Sequence, residues 1–272
     1  MPVRATKRGA ERTPLSGSYD AVICGASFAG LAVVRELATT GAAVLLVDRY
    51  EIGERQTSAC VAPSEVLERL GVESSIRQRF TDMVIHTPHR SFRWPLPFAF
   101  ATFDYPELCR LLWAQSGDAQ FETATVNGSR DGEDGTVLVA TDRGEVAAPL
   151  VVDALGWRRV LARGGEPIQP PRAQLSRGLE VHPPGSCKDL EVWLDPDCIR
   201  RGYGWSFPAG DELRVGVGSF DPRDHVKRPT LRLTQRLGVP PESYQGNWIP
   251  HALREATDGP VFFAGDSAGH CM

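Results

Sequence analysis

Asp20 through Asp48 decides the fold: Ala21-Val-Ile-Cys24, Gly25-Ala-Ser-Phe-Ala-Gly30, Leu31-Ala-Val-Val-Arg-Glu-Leu-Ala38 and Ala43-Val-Leu-Leu-Val-Asp48 follow one another without a break. The order reads as apolar strand, tight turn with glycine at both ends, helix, and second apolar strand ending on an acid. That is the plan of a dinucleotide-binding unit. Gly25 is required where the chain reverses, and Gly30 where the helix must lie close against the strands. The pyrophosphate then rests on the helix N-terminus, on N–H groups contributed by Ser27, Phe28 and Ala29. Asp48 stands 23 residues after Gly25, placed with Arg49 beside it to accept hydrogen bonds from an adenosine ribose. Ser27 occupies the place of the usual middle glycine, a small residue where close approach is needed.

Outward from this unit, the 272 residues suffice for a large core. A net charge of −4 supplies no broad field for nucleic acid or an anionic membrane, and no apolar run reaches transmembrane length. Six cysteines and six histidines are scattered without C-x-x-C or metal-ligand spacing, so no metal site is expected. No secretory leader precedes the cysteines, and a reducing cytoplasm is the expected setting. Residues 1–18, with Arg4, Lys7, Arg8 and Arg12, read as a mobile tail.

Val66, Leu67, Leu70 and Ile76 place helical spacing over Pro63–Arg79, and Phe92–Phe103 reads as extended, broken by Pro95 and Pro97. Asp104 and Glu107 form a capping-box-like pair that starts a helix carrying Leu108, Leu111 and Leu112 inward. Asp142-Arg143-Gly144 is a turn between two strands, and Leu150-Val-Val-Asp-Ala154 is a buried strand arriving at Gly156. From Gln174 to Phe220 short strands alternate with Pro, Gly and Asp clusters. The fold class is therefore α/β, a Rossmann-like domain with an inserted antiparallel β-sheet. Residues 19–80, 103–165 and 258–272 are assigned to the nucleotide domain, and 81–102 and 166–257 to the second, substrate-binding domain.

Near the end, Gly259-Pro260-Val-Phe-Phe-Ala-Gly265-Asp266-Ser267-Ala268-Gly269 is an apolar strand delivering an aspartate into a small-residue turn where a helix can begin. With the N-terminal unit it resembles the flavoprotein fold of the p-hydroxybenzoate hydroxylase superfamily. The resemblance implies FAD as cofactor, with Gly265 and Asp266 at its ribityl chain. Tyr203-Gly-Trp205-Ser-Phe207-Pro208, seven residues, then Gly216-Val-Gly218 resembles the Y-x-W-x-F-P…G-x-G motif of the geranylgeranyl reductase family. That family saturates carbon–carbon double bonds of isoprenoid chains. Alternate residues of a strand share one face, so Tyr203, Trp205 and Phe207 can form an aromatic wall for an apolar chain; the plainer reading is sheet core alone.

The same resemblance places Cys60 where the family often carries a cysteine near the flavin ring, and Val126, in Thr123-Ala-Thr-Val126, on the strand touching the adenine side. It implies NAD(P)H or another electron donor, including a donor protein, and a lipidic substrate met at a membrane surface. Two departures stand out. Asp153-Ala-Leu-Gly156 replaces the family's Ala-Asp-Gly, and the chain stops at Met272 where relatives continue, so it reads as a fragment. Two rival readings stay open: a flavin-dependent monooxygenase or halogenase of the same superfamily, and a non-catalytic FAD-binding module.

Overall fold

The computed structural model describes residues 13–56, 58–163 and 175–270. The chain divides into two compact units, one holding residues 13–55, 109–163 and 250–270, the other 56, 58–108 and 175–249.

The first unit is built on a six-stranded sheet ordered Thr257–Asp258, Val261–Phe263, Leu150–Asp153, Ala21–Cys24, Val44–Asp48, Gln120–Thr123. All pairings are parallel except at the Thr257–Asp258 edge. A parallel sheet is covered on both faces, which is why Ala21–Cys24 and Val44–Val47 are uniformly apolar and buried rather than alternating. One face meets a small sheet of Gly17–Ser18, Gly144–Ala148, Val137–Thr141 and Val126–Asp131. Val22, Cys24, Leu45 and Val47 share a core with Val126, Val137, Val139 and Val146 from it. The helix Phe28–Leu37 packs on the Ala21–Cys24 and Val44–Asp48 strands through its buried Leu31 and Val34.

This arrangement corrects the tail reading for residues 13–18. Leu15 is buried in the shared core, its N–H donates to the Arg143 carbonyl, and Gly17–Ser18 pairs in parallel with Val146 and Ala147. Residues 1–12 lie outside those described.

The second unit is an eight-stranded sheet ordered Gln245–Pro250, Leu175–Val181, Glu212–Ser219, Gly202–Ala209, Leu190–Trp193, Ile76–His86, Ser91–Phe103, Val61–Pro63. Leu190–Trp193 pairs in parallel with Ile76–His86, and the other neighbours described run antiparallel. The helix Lys227–Leu237, unannounced by any strong cap, covers one face and buries Leu233 against Val181, Trp193, Leu213, Val215 and Val217.

Three local expectations change. The helix beginning at Ser64 ends at Arg69, because Gly71 adopts φ +66° and the Val72 N–H folds back to the Leu67 carbonyl. Ile76 then starts a strand whose period-two pattern overrides the helical spacing, and residues 56 and 58–80 sit with the second sheet instead of with the nucleotide unit. Pro95 and Pro97 do not break Ser91–Phe103; the register slips there, Phe80 facing Phe100 and Asp82 facing Pro95, and this irregularity accommodates residues that lack an N–H. After Asp266 the described residues form a single tight turn, Gly265–Ala268, closed by Gly269 at φ +72°.

Candidate functional site

The predicted site residues fall into two groups, one in each unit. In the first, the carboxyl ends of the parallel strands carry Gly25, Asp48, Ala154 and Gly265 on one edge. Chain order reverses there, since the strand after Ala21–Cys24 lies on one side and Leu150–Asp153 on the other; ligands of open α/β sheets bind at that crevice.

The glycines are there for space. Gly25 has φ +112°, and a Cβ on it would stand 2.3 Å from the Ala154 carbonyl oxygen. A Cβ on Gly30 would stand 1.8 Å from the Gly25 carbonyl oxygen. Gly265, φ +59°, leaves room for Ala29, whose Cβ would be 2.8 Å away. The C-terminal turn thus lies directly against the start of the first helix, with Ser27, Phe28 and Ala29 half-buried along it. Such a cradle fits a pyrophosphate, because the first N–H groups of any α-helix point outward along the axis without intrahelical partners.

Asp48 closes the turn. Its Oδ2 accepts from the Ala26 N–H at 2.7 Å and its Oδ1 from the Tyr50 N–H at 2.9 Å. The Arg49 backbone N–H also bonds to this carboxylate, which still leaves acceptor capacity for a ribose hydroxyl. Burial raises its pKa from the usual carboxylate value, against the opposing pull of those N–H groups and of the Arg49 charge. Arg49 is exposed, its guanidinium 4.9 Å from the Tyr50 ring centre. Val126 buries its side chain in the core, and nearby Ala124 donates its N–H to the Asp48 carbonyl, so this segment runs beside the acid.

Asp153, whose place in the sequence departs from the family pattern, is a wholly buried fastener. Oδ1 accepts from the Leu155 N–H and lies 2.8 Å from Ser267 Oγ; Oδ2 accepts from the Leu161 N–H. Ser267 also accepts from the Gly156 N–H at 3.0 Å. The loop after Leu150–Asp153 and the turn bearing Asp266 are therefore tied by one serine. Burial raises the pKa of Asp153, and burial followed by the Asp153 and Asp48 charges raises that of the Cys24 thiol, keeping it a packing group.

In the second unit the aromatic motif has a register explanation. Trp205 faces Gly216, which faces Glu180 on the next strand; Tyr203 faces Gly218, which faces Gly178. With no side chain on the middle strand, the Trp205 indole lies across it. A Cβ on Gly216 would be 2.2 Å from Trp205 Cζ2, and one on Gly218 3.4 Å from Cζ3. The indole N–H reaches Glu180 Oε2 at 2.7 Å. Tyr203, Trp205 and Phe207 follow one another with ring centres 5.8 and 6.2 Å apart, the central ring buried and the outer two half-buried.

Beside this wall, on the same face of the sheet, runs a chain of charged groups that the sequence reading missed, with Glu180 and Arg214 buried and His182 and Glu212 half-buried. Glu180 Oε1 meets His182 Nε2 at 2.7 Å and the Gln245 side-chain N–H at 2.6 Å. His182 Nδ1 lies 3.2 Å from Glu212 Oε1, which also accepts from Arg214 Nε at 3.0 Å. Arg214, 4% exposed, donates onward to the carbonyls of Ala59, Cys60 and Phe103 at 2.9, 3.2 and 3.0 Å. Cys60 itself is fully buried with φ +55°, and its thiol donates to the Ser58 carbonyl at 3.2 Å. A signal existed: Glu180 and His182 at the end of one apolar strand, like Glu212 and Arg214 at the start of another, are charged or polar pairs two apart, the spacing of residues that share a strand face. Burial disfavours the charge on His182, yet its two carboxylate partners prevail and hold its pKa up to about 9. Burial also opposes ionisation of Glu212, but His182 and Arg214 hold its pKa down to about 2.

No family model matches the sequence. Over 222 residues the chain is 25% identical to a digeranylgeranylglycerophospholipid reductase of Haloferax volcanii, covering 75% of this chain and 54% of that protein. The chain thus spans about half the length of the curated relative it matches. A crystal structure of a geranylgeranyl bacteriochlorophyll reductase-like protein from Thermoplasma acidophilum superposes with TM-score 0.79 at 17% identity, over 94% of this chain and 72% of that one. The flavin-dependent brominase Bmp2 gives 0.68 at 15% identity, over 92% and 72%. A probable FAD-dependent monooxygenase from Pseudomonas aeruginosa gives 0.67 at 15%, over 92% and 79%. The fold is that of FAD-binding oxidoreductases, and the resemblance to geranylgeranyl reductases carried by the aromatic–glycine motif is met by both a sequence relative and a structural neighbour.

Proposed function

We propose that this chain, with the fold of FAD-binding oxidoreductases and a sequence similar to a geranylgeranyl-type reductase, is an FAD-dependent reductase of carbon–carbon double bonds in isoprenoid chains. The observation that carries the reading is the Trp205 indole lying over Gly216 and Gly218, which gives the motif a physical reason. The residues proposed to hold FAD are Gly25, Ser27, Phe28, Ala29 and Gly30 at the pyrophosphate, Asp48 and Arg49 at the ribose, Val126 near the adenine, and Gly265 and Asp266 at the ribityl chain. The chemistry supplied by such a cofactor, once reduced by NAD(P)H or a donor protein, is hydride delivery to the double bond, with a proton completing saturation.

The chain's own residues bind and exclude water. Tyr203, Trp205 and Phe207 offer an apolar wall against which a prenyl chain loses its hydration, and the glycines let that wall lie flat. Cys60 is proposed beside the reacting bond, on the family resemblance. A lipidic substrate brings the protein to a membrane surface; among the described residues no helix is long and apolar enough to cross one. Exposed Trp94 and Phe98 on the Ser91–Phe103 strand favour surface contact. Sedimentation with liposomes is expected to carry the protein down, and a wholly soluble result counts against that contact.

The rival reading, a monooxygenase or halogenase, draws on the brominase and monooxygenase likenesses. Anaerobic mixing of dithionite-reduced, FAD-loaded protein with a geranylgeranyl lipid separates them: return of oxidised-flavin absorbance with a saturated product supports the reductase. Oxygen uptake coupled to hydroxylation, or a halide-dependent product, supports the rival. A yellow protein inert in all three assays is a binding module.

A further inference from the structure

Two features of the second unit lack a purely structural reason. A chain of ions anchored on the buried Glu180 and Arg214 is a poor device for stability alone, because apolar residues of similar volume serve as well or better at buried positions. A non-glycine residue at φ +55° persists only where its surroundings over-determine it. The two features meet, since Arg214 spends its guanidinium on the carbonyls of Ala59 and Cys60, and the Gln245 amide that holds Glu180 also donates to the Ser58 carbonyl at 3.0 Å.

We infer that Glu180, His182, Glu212 and Arg214 are positioning residues that lock the Trp205 indole and the left-handed Cys60 turn into a single arrangement. The path is continuous: indole N–H to Glu180, Glu180 to His182, His182 to Glu212, Glu212 to Arg214, Arg214 to the Cys60 carbonyl. Register explains why these four do it. Glu212 and Arg214 share a strand and a face with Gly216 and Gly218, and Glu180 stands opposite Gly216. The strand that frees space for the indole thus also carries the arginine that grips the cysteine turn. His182 is the keystone, one cation between two carboxylates, with Arg214 beyond Glu212, the Gln245 amide beyond Glu180, and its own N–H donated to the Glu242 carbonyl.

The functional meaning of this lock rests on the proposed reading of the Trp205 face, but its existence does not, and neither test below needs turnover. The first is a pH titration of the Trp205 indole N–H by nuclear magnetic resonance in tryptophan-labelled protein, assigned with Trp205→Phe. In the unmodified protein the signal should shift once, with a midpoint near the His182 value of about 9. In His182→Gln that step should vanish. An indole signal flat through this range, or a step that survives His182→Gln, overturns the inference.

The second is iodoacetamide labelling of each cysteine followed by peptide mass spectrometry. Arg214→Lys keeps the charge but loses the fork that serves three carbonyls. Cys60 should then label at least about ten-fold faster through local opening, while Cys24 in the other unit keeps its rate. An unchanged Cys60 rate contradicts the inference. Should Cys24 also accelerate, the variant has loosened globally and the titration of the unmodified protein decides alone.

Discussion

Both units of this molecule depend on a pair of glycines, and for opposite reasons. At Gly25 and Gly30 the space left by a missing side chain is taken by backbone, the carbonyls of Ala154 and Gly25. At Gly216 and Gly218 it is taken by the side chain of Trp205. The first pair lets main chain approach main chain and shapes a fixed cradle. The second lets one large ring span a strand and shapes a wall. A glycine that accommodates backbone admits no relief elsewhere, whereas one that accommodates a side chain is coupled first to that side chain.

Substitution should separate the two cases. Gly30→Ala drives a methyl group onto the Gly25 carbonyl, and should cost about 3 kcal/mol or more in a urea melt and abolish FAD binding, with no side-chain truncation able to rescue it. Next in size is the pH response of the wall. His182 is held at about 9 against 6.5 in the unfolded chain, so its contribution, as much as about 3 kcal/mol, is full below pH 6.5 and lost as pH rises through 9. Melts across that range should lose this stability, and His182→Gln should flatten the curve. Gly216→Ala should cost about 2 kcal/mol alone but markedly less in a Trp205→Ala background. The relief stays incomplete because the Leu179 carbonyl lies 2.8 Å from the new methyl. A cost that is the same in both backgrounds breaks the comparison. The smallest effect is expected of Ser267→Ala, about 1 kcal/mol, since Asp153 keeps its two backbone donors.

The cradle was more legible in the sequence than the wall's support. Local order from Ala21 to Asp48 dictates strand, turn, helix and strand, and apolar runs mark the buried parallel sheet. Residues 13–18 escaped because a short strand pairing with Gly144–Ala148 carries little pattern of its own, Leu15 apart. Ile76 escaped because two registers, helical and alternating, fit the same residues until Gly71 ends the first. The ion chain escaped because its members come from strands far apart in sequence, and only their pairing brings Glu180, His182, Glu212 and Arg214 together. Asp153 read as a departure from a pattern, and its meaning depends on Ser267, 114 residues later.

The central claim is that the two ends of the first unit, Gly25–Gly30 and Gly265–Asp266, form one flavin cradle. Titration of the purified chain with FAD, followed by quenching of flavin fluorescence, tests it most directly. Saturation at one FAD per chain, with binding lost in Gly30→Ala and weakened in Asp266→Ala, is the expected result. Fluorescence that stays that of free flavin at every protein concentration contradicts it.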